Sequence, residues 1–192
     1  MTRLYRHRVN TIAALETVPM EQGIEFDLRS DGDRIIVTHD PFTDGPKLDE
    51  FLSHVGPRPC IFNVKCEGIE EAALASAARH GIDDLFLLDC SLPAMVKLIR
   101  RGESRLAVRW SEFEPAELAA RFAGKVRWVW IDCFTDFPAD DAAWRNIEAA
   151  FRTCVVSPEL QGHEGESGAR LRNALAGHRI DAACTKRPEL WR

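Results

Sequence analysis

The chain has 192 residues, 45% of them hydrophobic and 29% charged, a size and balance that suit a single domain able to bury about 70% of the surface its unfolded chain exposes. Ordinary apolar content and only 12 glycines and 10 prolines exclude a disordered chain, a collagen-like chain and a coiled coil. Twenty-five basic against 30 acidic residues give a net charge of −5, which argues against broad nucleic-acid binding but leaves room for a small local anion site.

No apolar run reaches the roughly 18 residues of a membrane span, and residues 1–8 lack the apolar core of an export signal. The expectation is a soluble, cytoplasmic protein with no transmembrane segment. The cysteines (Cys60, Cys66, Cys90, Cys133, Cys154, Cys184) have no CxxC or other zinc-type spacing. Without an export signal they read mostly as small apolar core residues.

Short segments rich in β-branched and aromatic residues alternate with amphipathic ones. In chain order the predicted strands are Arg3–His7, Ile24–Arg29, Arg34–His39, Cys60–Lys65, Leu85–Asp89, Leu106–Trp110, Trp128–Asp132, Thr153–Ser157 and Ala182–Lys186. The predicted helices are Thr11–Glu21, Leu48–His54, Ile69–His80, Leu92–Arg101, Pro115–Phe122, Ala139–Phe151 and Gly168–His178, with Gln161–Gly168 read as a mobile loop. Such alternation implies a mainly parallel sheet with helical crossovers. Only Ser30-Asp31-Gly32-Asp33 separates the second and third strands, too little for a parallel crossover, so these two form a hairpin. Setting the returning arm aside leaves eight strands, each followed by a helix or helical turn except the last, and the fold class that follows is α/β: a compact (β/α)8 TIM barrel over residues 1–192, with a β-hairpin inserted after strand 2.

In a barrel the residues at the C-terminal ends of the strands converge on the active site. Here those ends carry Arg6 and His7, then Glu25, Asp27 and Arg29, then Asn63 and Lys65, then Asp89, Arg109, Asp132, Ser157, Glu159 and Lys186. Glu25, Asp27 and Arg29 alternate with apolar residues and therefore share one strand face. Two carboxylates at i and i+2 are hard oxygen ligands suited to Mg²⁺ or Ca²⁺. The hairpin returns His39 beside them, and His7 ends the neighbouring strand. Two histidines, two acids and nearby cations form the set that phosphodiester chemistry needs: cations neutralise the phosphate, one imidazole takes a proton and the other protonates the leaving oxygen. Trp110 and Trp130 read as packing residues between strands and helices.

Several segments, taken in order, carry a family resemblance. They are His7-Arg8 with Asn10-Thr11-Ile12-Ala13-Ala14-Leu15, then Gly23-Ile24-Glu25-Phe26-Asp27-Leu28, Asp31-Gly32, Ile35-Ile36-Val37-Thr38-His39-Asp40-Pro41 and Asn63-Val64-Lys65. The set resembles the glycerophosphodiester phosphodiesterases and their relatives among the phosphoinositide-type phospholipase C barrels. Specific matching covers about the first third of the chain. The resemblance implies His7 and His39 as the acid/base pair, Glu25, Asp27 and Asn63 around a divalent cation, Mg²⁺ or Ca²⁺, and Lys65 and Arg8 on the phosphate. Arg29, Arg109 and Lys186 are further candidates for substrate binding. The implied substrate is a small or lipid-linked phosphodiester, opened by a neighbouring hydroxyl through a cyclic phosphate. The segments 128–134 and 154–162 resemble short bacterial members associated with polysaccharide biosynthesis.

Two departures stand out. Asn63 occupies the place of the family's third metal carboxylate, leaving two negative charges, and the glycine expected after His7-Arg8 is missing from a shortened first loop. Two alternatives accordingly stay open: a metal-free lyase of the phospholipase C type, in which Arg29 or Lys65 supplies the missing positive charge, and a barrel that binds a phosphorylated ligand with little or no turnover. At 192 residues against the roughly 250 typical of the fold, little chain remains for loops that would wall the site.

Overall fold

The computed structural model describes residues 2–191. Every predicted strand is present, several trimmed at their ends: β1 Arg3–Arg6, β2 Gly23–Asp31, β3 Arg34–Val37, β4 Cys60–Val64, β5 Leu85–Leu88, β6 Ala107–Trp110, β7 Trp128–Ile131, β8 Arg152–Val156 and β9 Ala182–Thr185. The helices are α1 Ile12–Glu16, α2 Leu48–Ser53, α3 Glu70–Arg79, α4 Leu92–Arg100, α5 Ala116–Ala120, α6 Asp141–Ala150 and α7 Gly165–Ala174. Short 3-10 turns at Pro158–Gln161 and Pro188–Trp191 complete the list. This is the connectivity of a (β/α)8 barrel, with the hairpin after its second strand. No helix among the described residues is long and apolar enough to cross a membrane.

The chain gathers into two compact units. In Tyr5–Glu103 the sheet runs β5-β4-β2-β1, all parallel, with β3 antiparallel on β2. The hairpin closes at Asp31↔Arg34, and Gly32 in the turn takes φ +61°, a conformation that costs glycine little. Phe26 of β2 packs on Phe51 of α2 and Phe62 of β4, with ring centroids 4.9 and 4.8 Å apart. That contact assigns Ile24, Phe26 and Leu28 to the apolar face and sends Glu25 and Asp27 to the opposite one.

The second unit, Met1–Leu4 with Ser104–Arg192, pairs β6, β7, β8 and β9 in parallel, and the Arg3 amide donates to Asp181 O at 2.9 Å. Trp144 of α6 anchors its helical layer, edge-on to Trp110 at 4.8 Å and stacked on His178 at 4.2 Å. Trp110 and Trp130 are buried, as expected of packing residues. Cys60, Cys133, Cys154 and Cys184 are also buried, while Cys66 and Cys90 are half-buried.

Side-chain caps mark several helix starts: Thr11 accepts from Ala14, Ser91 from Ala94, and Asp140 from Ala142 and Ala143. Two expectations need correction. The helix expected over Thr11–Glu21 stops at Glu16, where the Thr17 hydroxyl donates to Ala14 O at 2.7 Å and Pro19 follows, which cannot continue a helical ladder. The segment Gln161–Gly168 is not simply a loop: Gln161 closes a 3-10 turn and α7 already begins at Gly165. Gln161 Nε2 is tied to Asp132 Oδ1 at 2.6 Å, and His163 Nε2 lies 3.0 Å from Phe134 O.

Gly23 pairs with Tyr5 across β1 and β2, and a Cβ at this position would lie 2.5 Å from the Tyr5 ring and 2.9 Å from Pro59 O. Tyr5 is fully buried, so the ring has little room to yield. Gly23→Ala is therefore expected to destabilise the protein by about 1–3 kcal/mol, measured as a lowered urea midpoint at unchanged slope.

Candidate active site

The site grows from β2. Glu25 and Asp27 are 0% and 1% exposed, an expensive location for two carboxylates unless donors and cations surround them. The parallel register sets Asn63 of β4 beside Asp27, and Asn63 Nδ2 donates to Glu25 Oε1 at 2.8 Å. At the end of β1 the Arg8 amide donates to Glu25 Oε2 at 2.6 Å, and the Val9 amide donates to Glu25 O at 2.8 Å. Arg8 makes this turn at φ +56°, a left-handed conformation that costs a non-glycine residue roughly 1–2 kcal/mol. His7 Nε2 stands 3.8 Å from Glu25 Oε2.

Asp27 has its own partners. Asn10 grips it from both sides, with Nδ2 donating to Oδ2 at 2.8 Å and Oδ1 accepting from the Asp27 amide at 2.9 Å. Lys65 Nζ lies 3.6 Å from Asp27 Oδ1 and 3.0 Å from Asp89 Oδ2. Arg8 Nε stands 3.8 Å from Asp27 Oδ2. Asp89 is a second left-handed residue, at φ +61°, just past β5.

His39 follows β3, whose ladder is extended one residue by the Thr38 amide donating to Asp27 O at 3.0 Å. Its Nδ1 lies 2.8 Å from Asp40 Oδ1. This imidazole holds the exposed Asp40 carboxyl below its ordinary range. With Nδ1–H turned to a carboxylate, Nε2 keeps the lone pair that a general base requires.

Glu25 carries the strongest electrostatic signature of the site. Burial first, and then the charge of Asp27, push its carboxyl up from 4.5 to about 7. Asn63 Oδ1 is buried with no hydrogen-bond partner, a condition that costs about 1–3 kcal/mol unless a further group meets the oxygen. Among the described residues no three His, Cys, Asp or Glu side chains form a metal-binding group. A hard-cation set here therefore has to draw on the Asn63 amide oxygen together with Glu25 and Asp27. Such a set suits an oxygen-seeking divalent ion, with fewer anionic ligands than usual.

His7, Arg8, Glu25, Asp27, Asn63 and Lys65 thus come together within one unit. Arg29 belongs to the same unit, but it donates to backbone carbonyls, from Nε to His39 O at 2.7 Å and from Nη1 to Lys65 O at 3.2 Å. Arg109 and Lys186 belong to the other unit. Arg109 pairs with the buried Asp132, which also accepts from Trp130 Nε1 at 3.1 Å and Gln161 Nε2 at 2.6 Å. The Lys186 side chain is exposed, and its backbone amide donates to Glu159 Oε1 at 3.2 Å. Sequence reasoning missed Asn10 as a partner of Asp27 and Asp89 as the partner of Lys65. The signal for Asn10 was faint, an amide just before the helix cap Thr11; for Asp89 it was its place at a strand end.

No protein-family model and no curated protein sequence matches the chain. Solved structures do match along its whole length. A glycerophosphodiester phosphodiesterase from Agrobacterium tumefaciens is 19% identical with a TM-score of 0.66, the match covering 100% of this chain and 97% of that one. A second Agrobacterium tumefaciens chain, assigned as a glycerophosphoryl diester phosphodiesterase, is 16% identical with a TM-score of 0.71 over 99% and 95%. A glycerophosphoryl diester phosphodiesterase from Parabacteroides distasonis is 12% identical with a TM-score of 0.65 over 98% and 84%. At these identities the likeness shows a common fold.

The raised Glu25 value has a consequence for stability. Between pH 4.5 and about 7 the folded protein retains a proton that the unfolded chain has released, so stability falls as pH rises through that window. In chelator-treated protein, Glu25→Gln is expected to flatten the decline, a difference of up to about 3 kcal/mol. Urea midpoints across this range check it; equal slopes in variant and parent would assign the titration to another group.

Proposed function

We propose that the protein is a phosphoric diester hydrolase acting on a small or lipid-linked phosphodiester, with His39 and His7 as the proton-transfer pair. The observation that carries this reading is the buried Glu25–Asp27 pair, bracketed by Arg8, Lys65 and His7 in one unit of a fold shared with glycerophosphodiester phosphodiesterases. A phosphodiester needs positive charge around its non-bridging oxygens, and Lys65 and Arg8 supply it. His39 Nε2 removes the proton from a neighbouring hydroxyl of the substrate as its oxygen bonds to phosphorus. The ester bond to the departing alcohol breaks, and His7 protonates that oxygen. The cyclic phosphate opens by the reverse exchange, with water in place of the alcohol, leaving a phosphomonoester.

Glu25, Asp27 and the Asn63 amide oxygen are the groups that would hold a divalent cation. Such an ion would add Lewis-acid stabilisation of charge on the phosphate. A metal-free variant of the reading draws on a specific feature: Lys65 and Arg8 already stand 3.6 and 3.8 Å from Asp27, so part of the positive charge is built into the chain.

His39→Ala is expected to lower kcat on glycerophosphocholine, a diester with a hydroxyl beside its phosphate, by about 10²–10⁴-fold while leaving the unfolding midpoint nearly unchanged. Retention of full activity would remove His39 from the mechanism. If a cation occupies the site, Mg²⁺, Ca²⁺ or Mn²⁺ at a hundredfold excess over its Kd raises stability by about 3 kcal/mol. Asp27→Asn is expected to abolish the rise, and chelator to stop turnover; turnover that survives chelator with no thermal shift favours the metal-free reading.

A further inference from the structure

The β3 ladder and the β4 ladder on β2 both end beside the site, after Val37 and after Val64. The Thr38 amide reaches Asp27 O at 3.0 Å and the Lys65 amide reaches Leu28 O at 2.9 Å. The carbonyls of His39 and Lys65, one step further on each side, are met by a side chain. Arg29 Nε donates to His39 O at 2.7 Å, and Arg29 Nη1 donates to Lys65 O at 3.2 Å. One planar guanidinium therefore joins the backbone of the acid/base histidine to that of the phosphate-binding lysine.

We infer that Arg29 is a positioning residue that holds the backbone of His39 in place, with the Lys65 carbonyl as its anchor, acting through carbonyls rather than on the phosphate. The inference rests on the phosphodiesterase reading and deepens it. Guanidinium suits the task because its donors are fixed in one plane and can serve two acceptors, one just past β3 and one just past β4, at a set angle; a lysine ammonium is a flexible point donor.

The segment beyond His39 shows why such a lock is needed. Thr43 Oγ1 donates to Asp40 O at 2.8 Å and lies 2.8 Å from Thr38 Oγ1. Between them Phe42 is fully exposed at φ +62°, a conformation that a bulky residue keeps only where its surroundings over-determine it. The His39 ring is oriented by Asp40, which is itself exposed. The imidazole is therefore only as well placed as the backbone beneath it, and Arg29 ties that backbone to β4.

The test compares Arg29→Met, Arg29→Lys, His39→Ala and the Arg29→Met/His39→Ala double variant on glycerophosphocholine, a diester that carries the neighbouring hydroxyl, with unfolding midpoints recorded for each. A displacement of about 1 Å at a catalytic group costs on the order of 10²-fold. Arg29→Met is thus expected to lower kcat by roughly 30–100-fold with KM changed less than about threefold, and Arg29→Lys to recover part of the loss. In the His39→Ala background the Arg29→Met change is expected to cost less than about threefold, because the two residues act as a unit.

A large rise in KM at intact kcat would overturn the inference in favour of direct phosphate binding, and fully additive losses would overturn it by making Arg29 independent of His39. If His39→Ala itself costs nothing, or the parent hydrolyses no diester, the phosphodiesterase reading falls and the catalytic part of the inference falls with it. The positional part has a separate readout in NMR of the imidazoles. In Arg29→Met the His39 ring signals are expected to shift or broaden while those of His178, stacked on Trp144 in the other unit, stay in place. Unchanged His39 signals would refute the lock whatever the enzyme does.

Discussion

Two like charges on one face of one buried strand are the constraint to which the neighbouring structure answers. Glu25 and Asp27 cannot both ionise out of water without help. Asn63 and the Arg8 amide meet Glu25, while Asn10, Lys65 and Arg8 attend Asp27. The help is incomplete, and the Glu25 carboxyl settles near 7. An acid poised there is unfavourable for stability, and such perturbation is typical of sites built for chemistry.

The backbone bends to serve that pair. Arg8 and Asp89 both adopt left-handed conformations beside the site. Arg8 carries a side chain in a conformation that glycine adopts without cost, so some strain is retained here. The reward is a turn that aims the Arg8 amide at Glu25. Asp89 and Asp27 hold the Lys65 ammonium between two carboxylates.

The strand ends of the other unit are arranged differently. Its buried Asp132 is met by Arg109, Trp130 and Gln161. Glu159 accepts from Ser157, from Thr185 and from the Lys186 amide, and the Trp191 indole closes on Ser157 at 2.7 Å. These acids are matched by local donors and read as fastenings between neighbouring strand ends. The sequence showed charges at the ends of strands throughout the chain, and only the pairing separates those fully matched by local donors from the incompletely matched Glu25–Asp27 pair.

Composition, periodicity and the short hairpin connection were enough to determine the βα alternation, the inserted arm and the placement of Glu25, Asp27 and Asn63 on neighbouring strands. Those properties follow from local geometry: a strand alternates its faces, and a four-residue link cannot cross over. Partner choice was beyond its reach, because a side chain's partner depends on residues far away in the chain. The sequence offers Arg29 and Arg109 as equal cations at strand ends, yet Arg29 is spent on the carbonyls of His39 and Lys65, 10 and 36 positions away, and Arg109 on Asp132, 23 positions away. Asn10 carried no charge to draw attention, but it grips Asp27 from 17 residues off. Local sequence determined which groups were available at the strand ends; the tertiary structure decided which were consumed, because burial enforces a hydrogen-bond and charge balance that no local segment can satisfy alone.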